Sequence, residues 1–361
     1  MRADLALVGF GNVGRRFARL LAERRDWLAL DYDLECRVVG VATKRHGCGF
    51  DGHGIDVVEL ANAVERGGTA DVGGDRVESS DASSEIIRRL ADSPADFKVL
   101  VETTTLDVSA GQPATDYVRT ALQQGCDVVT ANKGPAAFAY EELDALAVDR
   151  GRAFLFEGAV MDGVPIFNLV RETLPAVQIL GFRGVINSTT NHILSALEDG
   201  QSFDTALARM QSEGIAEADP SLDVDGWDAA AKTAALANVL MRARTTPQAV
   251  EREGIGQGTA RLAMAAKARG KRVRLVASAR RTPSGVAASV HPIELPETDL
   301  LAGLRGMANA LILQTDLLGE IAVAQLSGGL TQTAYALLSD LVAIRRRRQR
   351  GPLGAAPGRS R

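Results

Sequence analysis

Six residues near the start of the chain constrain its fold more than any others: Gly9, Phe10, Gly11, Asn12, Val13 and Gly14. They continue DLALVG, an apolar run at residues 4–9 that fits a buried parallel strand. They lead into RRFARLLAERR, which has helical periodicity. A G-x-G-x-x-G between a strand and a helix is the setting that a dinucleotide pyrophosphate requires. Gly9 permits the tight turn, Gly11 lets the backbone approach the phosphates, and Gly14 lets helix and strand pack closely. The unpaired N–H groups at the helix start attract the anion. A glycine-rich turn without a ligand is the bland alternative, and the strand–helix setting argues against it.

A second strand is expected at CRVVGVA, residues 36–42. A site selective for NAD usually follows this strand with an acidic residue for the ribose 2′-hydroxyl. Here Thr43, Lys44 and Arg45 follow instead. Cations there favour a 2′-phosphate, so NADP is expected ahead of NAD, with NAD still possible; the alternative is a solvated basic loop. His46 and His53, in HGCGFDGHG, read as part of a surface loop, because a metal pair would need a third ligand. FKVLVETTT, residues 97–105, reads as a strand that leaves Thr103 and Thr104 at the carboxyl edge of the sheet, where cofactors sit. CDVVTAN is another strand, and Lys133 follows at the same edge. Strand–helix alternation over residues 1–156 makes this an α/β chain with an N-terminal Rossmann-type doubly wound parallel sheet.

After Glu157 the pattern changes. KRVRLVASAR, GVAASVHPIEL and GEIAVAQLSG read as strands of a second, α+β unit over 157–329 that would hold the substrate. Gly328 and Gly329 precede a last helix at about 330–343, expected to dock back on the first unit. Residues 345–361 are basic and rich in Pro and Gly, and are expected to form a disordered tail. At 361 residues the chain is long enough for two well-buried cores. Its net charge of −4 gives no electrostatic reason to expect nucleic acid. No apolar run approaches the ~20 residues of a membrane span. Cys36, Cys48 and Cys126 lack metal or CxxC spacing, which points to a reducing, cytoplasmic setting and disfavours a catalytic thiol.

The most charged stretch is EADPSLDVDGWDAAAK, residues 217–232. Asp228 and Lys232 lie one helical turn apart and share a face. An ordinary helix entrance would explain them, with Asp225 as N-cap and Asp228 paired to Lys232. A calcium loop would not, because Lys232 falls where a bidentate Glu belongs. The spacing by itself leaves open why so much negative charge stands beside one lysine.

GFGNVGRRF, TANKGP, EGAVMDGVP, GVINSTTNHIL and AEADPSLDVDGWDAAAK occur in that order, and together they resemble homoserine dehydrogenase over about residues 4–343. The last motif is the most specific: DP, a following Asp, G-x-D, then Lys. The resemblance is to the short form without an ACT domain. It implies reversible NAD(P)H-dependent reduction of L-aspartate 4-semialdehyde to L-homoserine, in threonine and methionine biosynthesis. It further implies Lys232 as proton donor, Asp228 beside it, and Lys133 in the same cavity reaching the cofactor. Hydride delivery to the implied aldehyde builds negative charge on oxygen, and a nearby ammonium both stabilises that charge and supplies the proton. Glu217 would bind the substrate ammonium with help from Asp223, and Thr189 would face the substrate. A monovalent cation, usually sodium, would sit mostly on backbone carbonyls at Glu157, Val160, Asp162 and Val164. Gly329 would belong to the loop that closes over the cofactor, and the chain would form a homodimer through its middle region. Three places depart from the family pattern: Ser188 stands where glycine is common, AQLSGGLTQTA is a poor closing loop, and TKRHG is unusually basic. Alternatives are another amino-acid dehydrogenase, which the G-x-D…K motif disfavours, and a silent NADP-binding sensor, which both lysines disfavour.

Overall fold

The computed structural model describes residues 1–69, 75–76, 81–212 and 219–349. Arg2–Val8 (β1) is apolar along most of its length and is buried from Ala3 to Val8, as a strand covered on both faces must be. It pairs in parallel with Glu35–Thr43 (β2) on one side and with Phe97–Glu102 (β5) on the other. Gly47–Phe50 (β3) and Asp75–Arg76 (β4) extend the sheet antiparallel beyond β2. Asp127–Thr130 (β6) and Phe154–Leu155 (β7) extend it in parallel beyond β5. The order is β4-β3-β2-β1-β5-β6-β7. In this register Val8 lies beside Glu102 and Glu102 beside Thr130. The carboxyl ends of β1, β5 and β6 therefore line up, and Gly9, Thr103 and the residues after Thr130 emerge at one edge. Residues 47–50, expected in a loop, instead pair with β2, because the TKRHG turn reverses the chain as a hairpin.

The second sheet comprises Ile179–Val185 (β8), Glu251–Arg252 (β9), Lys271–Thr282 (β10), Gly285–Pro296 (β11), Asn309–Thr315 (β12) and Glu320–Gln325 (β13). Its order is β13-β12-β8-β10-β11-β9, antiparallel except for β9 against β11. The helices Ser188–Glu198, Trp227–Met241 and Gln257–Lys267 share one core with this sheet. Arg274 is fully buried there, and donates to Glu198 Oε1 at 2.5 Å and to the carbonyls of Val273 and Ala302.

Alanine brings the two sheets' helices together. Trp227–Met241 is buried at Ala229, Ala230, Ala231, Ala234, Ala235 and Ala237, and it packs on Gly134–Asp149, whose Ala136 and Ala137 are also buried. Small side chains let helix axes approach closely. Asn238 locks the contact by donating to the Ala136 and Ala137 carbonyls at 3.1 and 3.0 Å. This crossing carries Lys232 toward Lys133.

The last helix, Leu330–Gln349, buries Ala334, Leu337, Leu341 and Ile344 in the core that holds Leu5 and Phe17. It extends six residues past the expected end at 343 and absorbs the start of the basic run. Arginines 345–348 are helical, because each has a partner. Arg345 is 3% exposed and donates to Asp33 at 2.7 Å, Arg347 meets Glu172 at 3.0 Å, and Arg348 meets the buried Asp127 at 2.5 Å. Arg346 lies over the Tyr32 ring. A disordered tail from residue 345 is therefore corrected for 345–349; residues 350–361 lie outside the described residues. No helix among the described residues is long and apolar enough to cross a membrane.

Candidate active site

Gly9 has φ +94°, and a Cβ there would stand 2.5 Å from the Thr103 carbonyl carbon and 2.7 Å from the Thr104 nitrogen. Glycine is the residue that fits, since both neighbours are backbone. Gly14 is also closely packed, with the Gly9 oxygen 2.8 Å from a built Cβ. Gly11 is open, with nothing within 4 Å, so backbone there is free to meet a ligand. It is the N-cap of the helix Asn12–Glu23, where no side chain caps the first amides. That combination fits a pyrophosphate. Phe10 is buried, Asn12 is exposed and Val13 packs against the first core. Thr103 ties the loop to β5 by donating its hydroxyl to the Gly9 carbonyl at 2.8 Å.

The ends of β5 and β6 are organised by a residue that sequence reading overlooked. Glu102 is fully buried, and accepts from Thr104 N at 2.7 Å, Thr104 Oγ1 at 2.5 Å and Thr130 Oγ1 at 2.6 Å. Burial pushes its carboxyl above the ordinary range. Asn132 donates to the Thr104 carbonyl at 3.1 Å and accepts from Gly134 N at 2.9 Å. Lys133 sits between these bonds, as the N-cap of Gly134–Asp149.

Asp228 bridges two lysines that are far apart in sequence. Its Oδ1 lies 3.1 Å from Lys133 Nζ and its Oδ2 lies 3.0 Å from Lys232 Nζ. Burial opposes ionisation of Asp228, but the two ammonium groups and the Asn187 amide outweigh it and hold the carboxyl well below its usual range. For Lys232, burial pulls the ammonium down; the Asp228 charge and hydrogen bond reverse this and leave it raised, with Asp162 and Asp223 assisting. Lys232 Nζ also donates to the Ile186 carbonyl at 2.9 Å. An ammonium has three donors, so one N–H remains beyond these two contacts. Asp223 is raised, first by burial and then by the Asp228 charge; bonds from Asn187 and Thr189 act in the other direction.

The structure thus brings together Lys133, Lys232, Asp228, Asp223 and Thr189. Glu217 lies outside the described residues. Asp225 is not the cap of the Trp227–Met241 helix: Gly226 is, at φ +78°, because the short helix Ser221–Val224 ends at Asp225 and the chain must turn sharply before the next one. Asp219 accepts from Ser221 N at the Pro220 turn. Ser188 bonds away from Asp223 and Asp228, accepting from Asn309 Nδ2 at 2.7 Å and donating to the Met307 carbonyl at 3.2 Å.

Thr43, Lys44 and Arg45 form the β2–β3 turn beside the glycine loop, where the Gly9 amide bonds the Ala42 carbonyl. Lys44 and Arg45 are exposed, whereas the Thr43 hydroxyl is used inside the turn. Gly329 is exposed just before the last helix, where Thr331 accepts from Arg16 of the first helix at 3.0 Å.

Glu157 spends its carboxylate on two amides, Phe167 N at 2.8 Å and Asn168 N at 2.7 Å. Asp162, at φ +47°, accepts from Gln325 and Thr333. A cation on Glu157, Val160, Asp162 and Val164 would therefore meet main-chain oxygens, and the Val164 carbonyl already accepts from Ile166 N. Among the described residues no group of three or more His, Cys, Asp or Glu is placed to hold a metal. A cavity of about 910 Å³ lies elsewhere, between Leu20, Trp27, Val164, Tyr335 and Leu338. Neither Lys133 nor Lys232 lines it, so the chemistry rests on the acid–lysine cluster.

A dinucleotide loop at a parallel sheet edge, joined through Thr104 and Asn132 to a paired acid–lysine cluster, defines an NAD(P)-dependent oxidoreductase. Comparison with known proteins agrees. A family model described as homoserine dehydrogenase, NAD binding domain, matches residues 9–157, and one described as homoserine dehydrogenase matches residues 165–342. The chain belongs to the homoserine dehydrogenase family. It is 38% identical to an NAD(+)-dependent homoserine dehydrogenase of Pseudomonas canavaninivorans, over 94% of this chain and 95% of that protein. It is 34% identical to a homoserine dehydrogenase of Methanocaldococcus jannaschii, over 94% and 98%. Among solved structures, a homoserine dehydrogenase from Thiobacillus denitrificans superposes with a TM-score of 0.81 at 30% identity, covering 99% of this chain and 76% of that one. A hyperthermophilic archaeal homoserine dehydrogenase in complex with NADPH superposes with a TM-score of 0.78 at 29% identity, over 96% and 98%.

Proposed function

We propose that the chain interconverts L-homoserine and L-aspartate 4-semialdehyde, in the biosynthesis of threonine and methionine, with Lys232 as the acid–base group. The observation that carries this reading is the Asp228 carboxylate, shared by Lys133 and Lys232 at 3.1 and 3.0 Å. A bound nicotinamide cofactor supplies or accepts the hydride. In reduction, the remaining Lys232 N–H donates to the developing alkoxide, and Asp228 keeps that nitrogen protonated until transfer. In oxidation, neutral Lys232 takes the hydroxyl proton. Lys133, on the cofactor side through Asn132 and Thr104, adds a second positive charge near the reacting oxygen. Asp223, with Glu217, takes the substrate ammonium, and Thr189 orients the substrate beside Asp223.

NADP is the proposed cofactor. The exposed Lys44 and Arg45 beside the phosphate loop support it, and Gly329 belongs to the segment that closes over it. The similarity to a relative named NAD(+)-dependent supports NAD as the alternative. A sodium ion on the carbonyls of Glu157, Val160, Asp162 and Val164 belongs to the same reading, since hard cations take oxygen ligands. So do a homodimer and a cytoplasmic location. Initial rates of homoserine oxidation with NADP and NAD separately, in sodium and in potassium, test the proposal. Turnover with higher kcat/KM for NADP supports it. No turnover with either cofactor would leave the silent sensor as the better reading.

A further inference from the structure

Asn187 stands at the junction of β8 and the Ser188–Glu198 helix and is 5% exposed. Its Oδ1 accepts from Thr190 N at 2.8 Å and from Thr190 Oγ1 at 2.9 Å, which caps that helix. With the oxygen engaged there, the amide NH₂ is directed to the other side. It donates to Asp223 Oδ1 at 2.7 Å and to Asp228 Oδ2 at 2.9 Å. An asparagine has two amide hydrogens, so each carboxylate takes one. The preceding residue, Ile186, accepts from Lys232 Nζ at 2.9 Å. Two consecutive residues therefore hold both acids and the lysine.

We propose that Asn187 is a positioning residue for the reaction: it clamps the substrate-facing Asp223 and the lysine-bridging Asp228 at fixed separation. This inference rests on the functional reading above. Two carboxylates held close repel each other, and a neutral double donor between them offsets that repulsion without adding a charge that would compete for Lys232. A lysine or arginine in this place would draw Asp228 away from Lys133 and Lys232. An aspartate would supply no donor and add a third negative group. The clamp also fixes which Asp228 oxygen serves which lysine, because Oδ2 takes both Asn187 and Lys232 while Oδ1 is left to Lys133.

Capping and clamping use opposite ends of one side chain, so two variants of the full-length protein separate them. Asn187→Ser keeps an oxygen for the cap but has one hydroxyl proton on a shorter arm, so it cannot hold both carboxylates, and it adds no charge; Asn187→Ala loses both functions. Ser is a strong N-cap and Ala a poor one. The proposal predicts crossed rankings. N187S unfolds at a higher temperature than N187A, yet its kcat for homoserine oxidation falls about as far, by roughly 100-fold for loss of charge-assisted bonds. The Kd for NADPH, read by cofactor fluorescence, stays within about threefold of wild type in both, because the glycine loop is built from other residues. N187S with wild-type kcat beside an impaired N187A would overturn the proposal and leave only a helix cap. Failure of the functional reading is separate: it would appear as absent turnover in the wild-type protein itself, and the inference would fall with it.

Discussion

Replacing Asp228 with asparagine changes one atom type and no volume, yet it removes the counter-charge of two lysines at once. The nearest contacts are 3.1 Å to Lys133 and 3.0 Å to Lys232. Unit charges about 4 Å apart attract by roughly 4 kcal/mol at an effective dielectric constant of about 20. Desolvation takes back much of that, and breaking a buried pair by removing one partner typically costs about 3 kcal/mol. If that loss falls on the transition state, kcat/KM for semialdehyde reduction drops roughly 100-fold. The pH profile moves as well. Reduction needs Lys232 protonated, so activity holds below its pKa and is lost above it. Burial lowers that pKa and Asp228 raises it, so D228N should shift the alkaline limb to lower pH. Initial rates of NADPH consumption from about pH 6 to about pH 10 measure both effects: wild type holds its activity to the top of that range, because Lys232 is held above its ordinary value, whereas D228N loses activity within it. A D228N enzyme within about threefold of wild type, with its alkaline limb in place, would refute the reasoning.

Gly9→Ala places a Cβ 2.5 Å from backbone at φ +94°, and it should cost on the order of 3 kcal/mol and weaken NADP binding; an unchanged unfolding temperature would count against the loop geometry. Burial, with the Asp340 charge, raises Glu157 to about 7, and burial raises Asp340 to about 6. Both folded values exceed the unfolded ones, so the stability tied to these protons is fully present below about pH 4 and is lost as pH rises through 6 to 7. In buffers free of sodium and potassium, thermal unfolding of Glu157→Gln should show a flatter pH dependence than wild type across that window; an identical slope would contradict the assignment.

Local patterns carried most of what the sequence disclosed. The glycine motif between an apolar run and an amphipathic helix announced both the first sheet and its ligand, because each glycine answers a backbone constraint within a few residues. Asp228 and Lys232 were legible as a pair because one helical turn joins them. Their link to Lys133 spans nearly a hundred residues and depends on two alanine faces meeting, which periodicity alone cannot align. Asn187 was hidden for the same reason: its partners Asp223 and Asp228 come from two other helices, and asparagine in a polar turn has many ordinary uses. The arginines at 345–348 looked like a solvated run, because their partners Asp33, Asp127 and Glu172 are scattered along the chain. Composition describes a charge run; the fold decides whether each charge meets its opposite.

The most direct test of the Asp228-supported lysine is the turnover of Lys232→Ala, measured as semialdehyde-dependent NADPH oxidation with cofactor binding followed in parallel. Loss of a general acid that also stabilises the oxyanion predicts a fall of about 10³-fold in kcat, with the Kd for NADPH unchanged. Near-normal turnover in that variant would contradict the account.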